Sequence, residues 1–217
     1  PGVRTRLARV AADIARNYDV GGIHLDFIRY PSTDYSYDLP SMRAFDSIRA
    51  LEPGLDFDGM RRRFVTWAVE EVHDSLAEVH PVPELSAAVW GIYRNNLGWG
   101  GVTTGFDSVL QDARTWDRRG LLDALVPMVY WPIQPVYGDR LDFAYLADEH
   151  SLAMGGSAFI GMNAHGLDGR SVAQQVERAR MAGAEGVSVF SYSGLAEGEL
   201  WGALQSWAFF LPARRDQ

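Results

Sequence analysis

Cysteine is absent from the 217 residues, and so is lysine: all 20 basic residues are arginine. The first absence excludes disulfides and thiolate metal sites and leaves the compartment open. The second matches codon bias in a GC-rich genome and carries no mechanism. Positive charge is scarce overall, with a net charge of -8. Neutralising phosphates needs a basic face, so no nucleic-acid partner is expected. No apolar run reaches the ~20 residues of a membrane helix, and no signal peptide opens the chain. No GxGxxG follows a strand-like run and no Walker sequence occurs, so nucleotide-binding folds lack their signature. Methionine is missing from the start, where Pro1-Gly2-Val3 resembles a helix cap. The expectation is a fragment of a longer protein, its N-terminal part and any targeting signal lying outside it.

What is present suits a packed domain. Hydrophobic residues make up 47% and charged residues 22%, near the globular average, so a core can form. One domain over 1–217 is expected. Helical spacing of Val3, Leu7, Val10 and Ile14 predicts a helix over Val3–Tyr18 with those residues inward. A strand is predicted over Gly22–Phe27, then a long polar loop over Pro31–Asp58. Further helices are predicted over Phe57–His80, Phe106–Arg119, Leu141–Met154, Ser171–Ala182 (with Ser171 as N-cap) and Gly198–Phe210. Strands are predicted over Leu85–Ile92, Ala124–Trp131, Ala158–Met162 and Gly186–Tyr192. Strict strand–helix alternation with short connections predicts an α/β fold with a parallel sheet and right-handed crossovers. An open doubly wound sheet and part of a barrel both satisfy it. Polar or aromatic residues follow nearly every strand, which fits a barrel rim better.

The richest stretch is GGIHLDFIRYP, Gly21–Pro31. An apolar strand-like run ends there in His24, Asp26, Arg29 and Tyr30. Buried parallel strands read as short apolar runs, and barrel chemistry sits where such strands stop. Asp26 is therefore the candidate catalytic carboxylate, able to act as nucleophile, acid, base or metal ligand. The competing reading is an ion pair with Arg29 or Arg94. His24 reads as a hydrogen-bonded core histidine orienting Asp26 rather than a metal ligand, since no cluster has zinc spacing. No cofactor is implied.

Aromatic residues form a second signal. Tyr93, Tyr130, Trp131 and Tyr192 follow strand-like runs, and flat rings there suit the apolar faces of sugars. Arg94, Asn95 and Asn163 would bond hydroxyls, while Trp90, inside its strand, reads as core. For Asn163 and His165 a ligand-binding role stands beside a solvated turn. Glycoside hydrolysis generally uses two carboxylates, ~5 Å apart for retention and ~6.5–9.5 Å for inversion. No Glu directly follows a strand. Asp112, Asp139, Asp142 and Glu197 are candidates for the partner, as is a residue outside this chain. Asp34 and Asp38 read as solvated, and Asp123, ahead of its strand, as structural.

These motifs resemble the glycosyl hydrolase-like 10 family. YDVGGIHLDFIRYP (Tyr18–Pro31) is similar to its "YdvDGIhfDyiRYP" segment, and WGIYRNN (Trp90–Asn96), QDARTWDRRGLLDALVPMVYW (Gln111–Trp131) and GAEGVSVFSY (Gly183–Tyr192) continue the likeness. The resemblance implies a TIM (β/α)8 barrel, incomplete here, with the motifs on strands four to eight. It also implies bacterial, often exported or cell-surface proteins acting on polysaccharide. Asp26 takes the place of the family's strand-four Asp, Arg29 and Tyr30 match its Arg-Tyr, and Tyr130 and Trp131 its Tyr-Trp. Two positions depart: Gly21 replaces the Asp before Gly-Ile, and Met128 the Gln of "PQvYW".

The leading expectation is an O-glycoside hydrolase with a carbohydrate substrate, bound by His24, Arg29, Tyr30, Tyr93, Arg94, Tyr130, Trp131, Asn163, His165 and Tyr192. A non-catalytic carbohydrate-binding barrel is the second reading, and a metal-dependent hydrolase or deacetylase using His24, Asp26 and His165 the third. A barrel cut to five strands has open edges, so self-association through them is expected of a truncated chain.

Overall fold

The structure is a computed structural model that describes residues 2–154 and 157–209. It divides into two compact units, Pro1–Leu125 and Val126–Gln217.

The first unit opens with α1, Gly2–Asn17. The helix is where the spacing predicts it, but the buried face differs. Ala8, Ala11 and Ala12 are buried, whereas Val3, Val10 and Ile14 are exposed. Small alanines let two helix axes approach closely, and α1 packs on α3, Phe57–Ala77. The contact is closed at its edge by Arg4, whose guanidinium lies over Phe64 and Trp67 and pairs with Glu71 at 3.0 Å. β1, Gly22–Leu25, pairs in parallel with β2, Glu84–Trp90, in the register Gly22↔Glu84 to Leu25↔Ala87. Gly22 is required there, because a Cβ would lie 2.7 Å from the Glu84 carbonyl oxygen.

The predicted loop after β1 contains a helix, α2, Leu39–Leu51. Asp38 caps it, accepting from the Ser41 N–H at 3.0 Å, and Pro40 occupies its first turn. Arg61 of α3, 1% exposed, holds the preceding segment by donating to the carbonyls of Thr33 and Tyr35. The helix predicted from Phe106 begins only at Ala113: α4 spans Ala113–Arg118. Thr104 instead accepts the N–H groups of Ser108 and Val109, and Leu110 takes φ 56°, a left-handed conformation that breaks a helix. Trp116 of α4 is fully buried and donates its indole N–H to Thr66 of α3. Asp123 seals the start of β2, its carboxylate accepting from the Leu85 N–H at 2.7 Å.

β3, Ala124–Met128, crosses the boundary between the units. In the second unit it pairs in parallel with β4, Phe159–Asn163, through Met128↔Gly161. β4 pairs in parallel with β5, Gly186–Phe190, from Phe159↔Gly186 to Asn163↔Phe190. Helix α5, Phe143–Ala153, packs on α6, Gly169–Met181. The α6 cap is Asp168, which accepts from the Ser171 N–H at 2.8 Å; Ser171 lies inside the first turn. After β5, Ser191 caps α7, Tyr192–Glu197, so Tyr192 opens a helix instead of ending a strand. A short helix α8, Trp201–Ala203, and a π-helical turn, Leu204–Ala208, follow; the end of the helix expected to Phe210 lies outside the described residues. Strands alternate with helices and every described pairing is parallel, as the α/β expectation requires.

Candidate active site at the end of the first strand

β1 stops at Leu25, and Asp26 is the first residue past it, exposed. Its Oδ1 accepts the Phe27 N–H at 2.7 Å, which fixes the carboxylate against its own backbone. Phe27 then takes φ 53°, a left-handed conformation costing about 1–3 kcal/mol for a bulky residue. That turn leaves Phe27 74% exposed and buries Ile28.

A second loop holds the turn in place. Gln111, 1% exposed, donates from Nε2 to the carbonyls of Ile28 (3.1 Å) and Ala88 (3.2 Å), and its Oε1 accepts from the Trp90 N–H (2.7 Å). The Tyr30 N–H donates to the Val109 carbonyl at 3.0 Å. One amide side chain thus ties the segment carrying Asp26 to β2.

Arg29 is clamped by rings: its guanidinium carbon lies 4.4 Å from the Phe27 centroid and 5.1 Å from that of Trp90. It makes no ion pair among the described residues, and its Nη1 is buried without a hydrogen-bond acceptor. Burial lowers its pKa and the nearby Asp26 charge opposes that. Phe27, Arg29 and Tyr30, with Ser36, Ser41 and Trp67, line a groove of about 800 Å³ in this unit. Most of the groove's remaining lining is apolar. It begins one residue past Asp26.

The other predicted residues of this unit have varied surroundings. His24, expected as a core histidine, is exposed instead and shares a 2.9 Å hydrogen bond with Ser86 through Nδ1. The Tyr30 hydroxyl accepts from Ser36 at 3.1 Å. Tyr93 is 7% exposed and donates its hydroxyl to Asp112 at 2.8 Å. Burial first, then that bond and the Asp112 charge, push its pKa up. Arg94 is exposed, pairs with Asp107 at 3.5 Å and covers the Phe106 ring. The Asn95 amide is spent within its own loop on Trp99. Trp90 donates its indole N–H to the Thr103 carbonyl.

In the second unit, Tyr130 stacks on Phe190 with centroids 5.7 Å apart. Trp131 is half-buried and its carbonyl accepts from Gln175. Asn163 Oδ1 accepts from the His165 N–H, and His165 Nε2 shares a 3.0 Å hydrogen bond with the Ser191 hydroxyl. Tyr192 is 76% exposed and meets Trp201 at 5.6 Å. Of the candidate second carboxylates, two are helix caps. Asp142 is buried and accepts four backbone N–H groups, from Gln134, Gly138, Ala144 and Tyr145. Asp112 accepts from Thr115 and Tyr93. Asp139 and Glu197 are exposed.

Sequence reasoning missed Gln111 and the Phe27 turn, and neither has a local signal. A buried glutamine is recognised only through the carbonyls around it, and nothing in Asp-Phe-Ile announces a positive φ.

The model of the glycosyl hydrolase-like 10 family matches residues 1–173, and the chain belongs to that family. The segment Gly183–Tyr192 lies past the end of this match. Among curated relatives, the chain is similar to glycosyl hydrolase YngK of Bacillus subtilis, 22% identical over 141 residues, 61% of this chain and 27% of the relative. It is also similar to glycosyl hydrolase DigH of Escherichia coli, 27% identical over 141 residues, 61% of this chain and 30% of the relative. The chain thus spans less than a third of the length of these relatives. Among solved structures it is similar to the PgaB (BpsB) glycoside hydrolase domain from Bordetella bronchiseptica. The TM-score is 0.67 at 10% identity, over 96% of this chain and 62% of that one. The likeness fixes the fold, an α/β (β/α)8-barrel type of which the described residues carry five strands.

Proposed function

We propose that this chain is part of an O-glycoside hydrolase acting on a polysaccharide, with Asp26 as the carboxylate at the reacting centre. The supporting observation is the Asp26-Phe27 turn. An exposed carboxylate stands directly past a parallel strand, held by its neighbour's N–H and followed by a residue in a strained conformation. Strain of this kind persists where the surroundings enforce it, and here Gln111 does so. Family membership supports a glycoside hydrolase reaction class and a carbohydrate substrate. Asp26 would act as nucleophile or electrostatic stabiliser at the developing oxocarbenium ion, with a second carboxyl protonating the leaving oxygen. Asp112 and Asp142 do not fill that second role, because cap bonds already occupy them.

Release of reducing ends from bacterial and environmental polysaccharides by the intact protein tests the assignment. Asp26→Asn should abolish it while leaving the folded-state spectrum unchanged. Unchanged turnover removes Asp26 from the mechanism. The spent carboxylates favour a second reading, a carbohydrate-binding barrel without chemistry. Binding of an oligosaccharide with no hydrolysis over long incubation would establish that one instead.

A further inference from the structure

In the second unit a cluster of rings and polar side chains stands at the ends of β4 and β5. Phe190 is the last residue of β5 and lies opposite Asn163, the last of β4. It is 55% exposed, whereas Ile160 and Met162 of β4 are fully buried. Its ring is nonetheless fixed: Tyr130 stacks against it with planes 22° apart, and the His165 imidazole stands 6.2 Å away. His165 is held on three sides. Its backbone N–H donates to Asn163 Oδ1 at 3.0 Å, and its Nε2 shares a 3.0 Å hydrogen bond with the Ser191 hydroxyl. Gly194 packs so closely on it that a Cβ would lie 3.1 Å from the imidazole. Asn163 Nδ2 and His165 Nδ1 have no partner among the described residues, and neither atom is sealed from solvent. A flat apolar face bordered by reachable, unspent polar groups matches a sugar ring, whose C–H face stacks while its hydroxyls bond at the edge. Among the described residues no carboxylate or guanidinium bonds Asn163, His165, Phe190 or Ser191. Apart from His165, nothing in the cluster offsets the desolvation of a charged substituent.

We propose that Phe190, backed by Tyr130, is a stacking platform for a neutral pyranose, with Asn163 Nδ2 and His165 Nδ1 bonding hydroxyls at its edge. A hydroxyl both donates and accepts, so either imidazole tautomer suits it. The proposal deepens the hydrolase reading and rests on it for the polysaccharide ligand. The ring contact falls on Phe190 and not on Tyr192, which opens α7 and meets Trp201. The bland reading is a strand-end phenylalanine packed on Tyr130. It leaves unexplained why the imidazole beside the ring is fixed by Asn163, Ser191 and Gly194 while its other nitrogen stays open.

The test measures binding calorimetrically in the intact Asp26→Asn protein, so that turnover plays no part. The probes are hexaoses of glucose, mannose, galactose and N-acetylglucosamine, beside oligogalacturonate. At least one neutral hexaose should bind, and more tightly than oligogalacturonate does. Phe190→Leu keeps an apolar side chain but loses the flat face, so affinity should fall about tenfold or more. Phe190→Tyr should hold it within about threefold, because the ring remains. Asn163→Ala keeps the ring and should weaken binding about three- to tenfold, the range of one hydrogen bond. Trp207→Leu removes a ring of similar exposure in the same unit and should change nothing. Failure of every neutral hexaose to bind, tighter binding of oligogalacturonate, or an affinity unmoved by Phe190→Leu overturns the proposal. Should Phe190→Leu not fold, Asn163→Ala decides, and an unchanged affinity there overturns it. The two readings fail separately. Phe190-dependent binding by a protein whose wild type cleaves nothing sinks only the hydrolase. Asp26-dependent cleavage of a neutral glycan, with KM and kcat unmoved by Phe190→Leu, sinks only the platform.

Discussion

Replacing Gln111 with leucine removes three hydrogen bonds at once while nearly conserving volume. The groups left behind are the Trp90 N–H and the carbonyls of Ile28 and Ala88, around a side chain only 1% exposed. Each buried group without a partner costs about 1–3 kcal/mol, with carbonyls at the low end because they keep a second lone pair. The sum is about 3–6 kcal/mol, and burying leucine returns about 1 kcal/mol of it. The total stability of a domain is about 5–15 kcal/mol, so the loss is a large share. In urea, with a slope of about 2 kcal/mol/M, the unfolding midpoint should fall by roughly 1–2.5 M. Amide exchange at Trp90 should accelerate beyond that at neighbouring β2 residues, because only this N–H loses its acceptor. A stability change below about 1 kcal/mol, with Trp90 still protected, would refute the reasoning: it would mean that water replaces the amide and that Gln111 is no clamp.

Two further outcomes follow from local geometry. Tyr93 has its pKa raised by burial and by its bond to Asp112. A folded value above the ordinary ~10 gives stability that is whole below that pH and is lost as pH rises from there through the folded value. The wild type should therefore lose more stability between about pH 9 and about pH 11 than Tyr93→Phe does; equal losses would contradict the assignment. In the second unit, Gly161→Ala would place a Cβ 2.7 Å from the Pro127 carbonyl oxygen, where only backbone can yield. The expected cost is about 1–3 kcal/mol, seen as a lower Tm, and an unchanged Tm would show that β3 and β4 separate easily.

Much of the fold was legible because it rests on local signals. The apolar runs at Ile23–Leu25 and Leu85–Val89 mark strands, and the alternation with helices forces parallel pairing. The errors have equally local causes. α2 was hidden by a polar stretch, although Asp38 and Pro40 carry an N-cap and first-turn signal. Asp168 and Ser171 both have cap chemistry, and only the bond direction selects Asp168. The buried side of α1 is an alanine stripe, which hydropathy undervalues beside Val3, Val10 and Ile14. At the candidate site the sequence pointed to Asp26 and Arg29 through their place after a strand. It could not reveal that Tyr93 is sunk beneath its loop, that Asp112 and Asp142 are caps, or that Arg29 lacks a partner. The surroundings of Tyr93 and Arg29 depend on groups distant in the chain, whereas the Asp112 and Asp142 caps are local bonds to Thr115 and Ala144 that the polar sequence around them does not single out.

The central claim is that Asp26 acts on the reacting atoms and does more than hold the sugar. Steady-state kinetics of Asp26→Asn beside the wild type, on whichever polysaccharide the intact protein cleaves, separates the two roles. A reacting carboxylate predicts kcat lower by about a thousandfold or more with KM within a fewfold of the wild type. A raised KM with kcat unchanged would contradict the account, leaving Asp26 as a binding contact and the chemistry elsewhere.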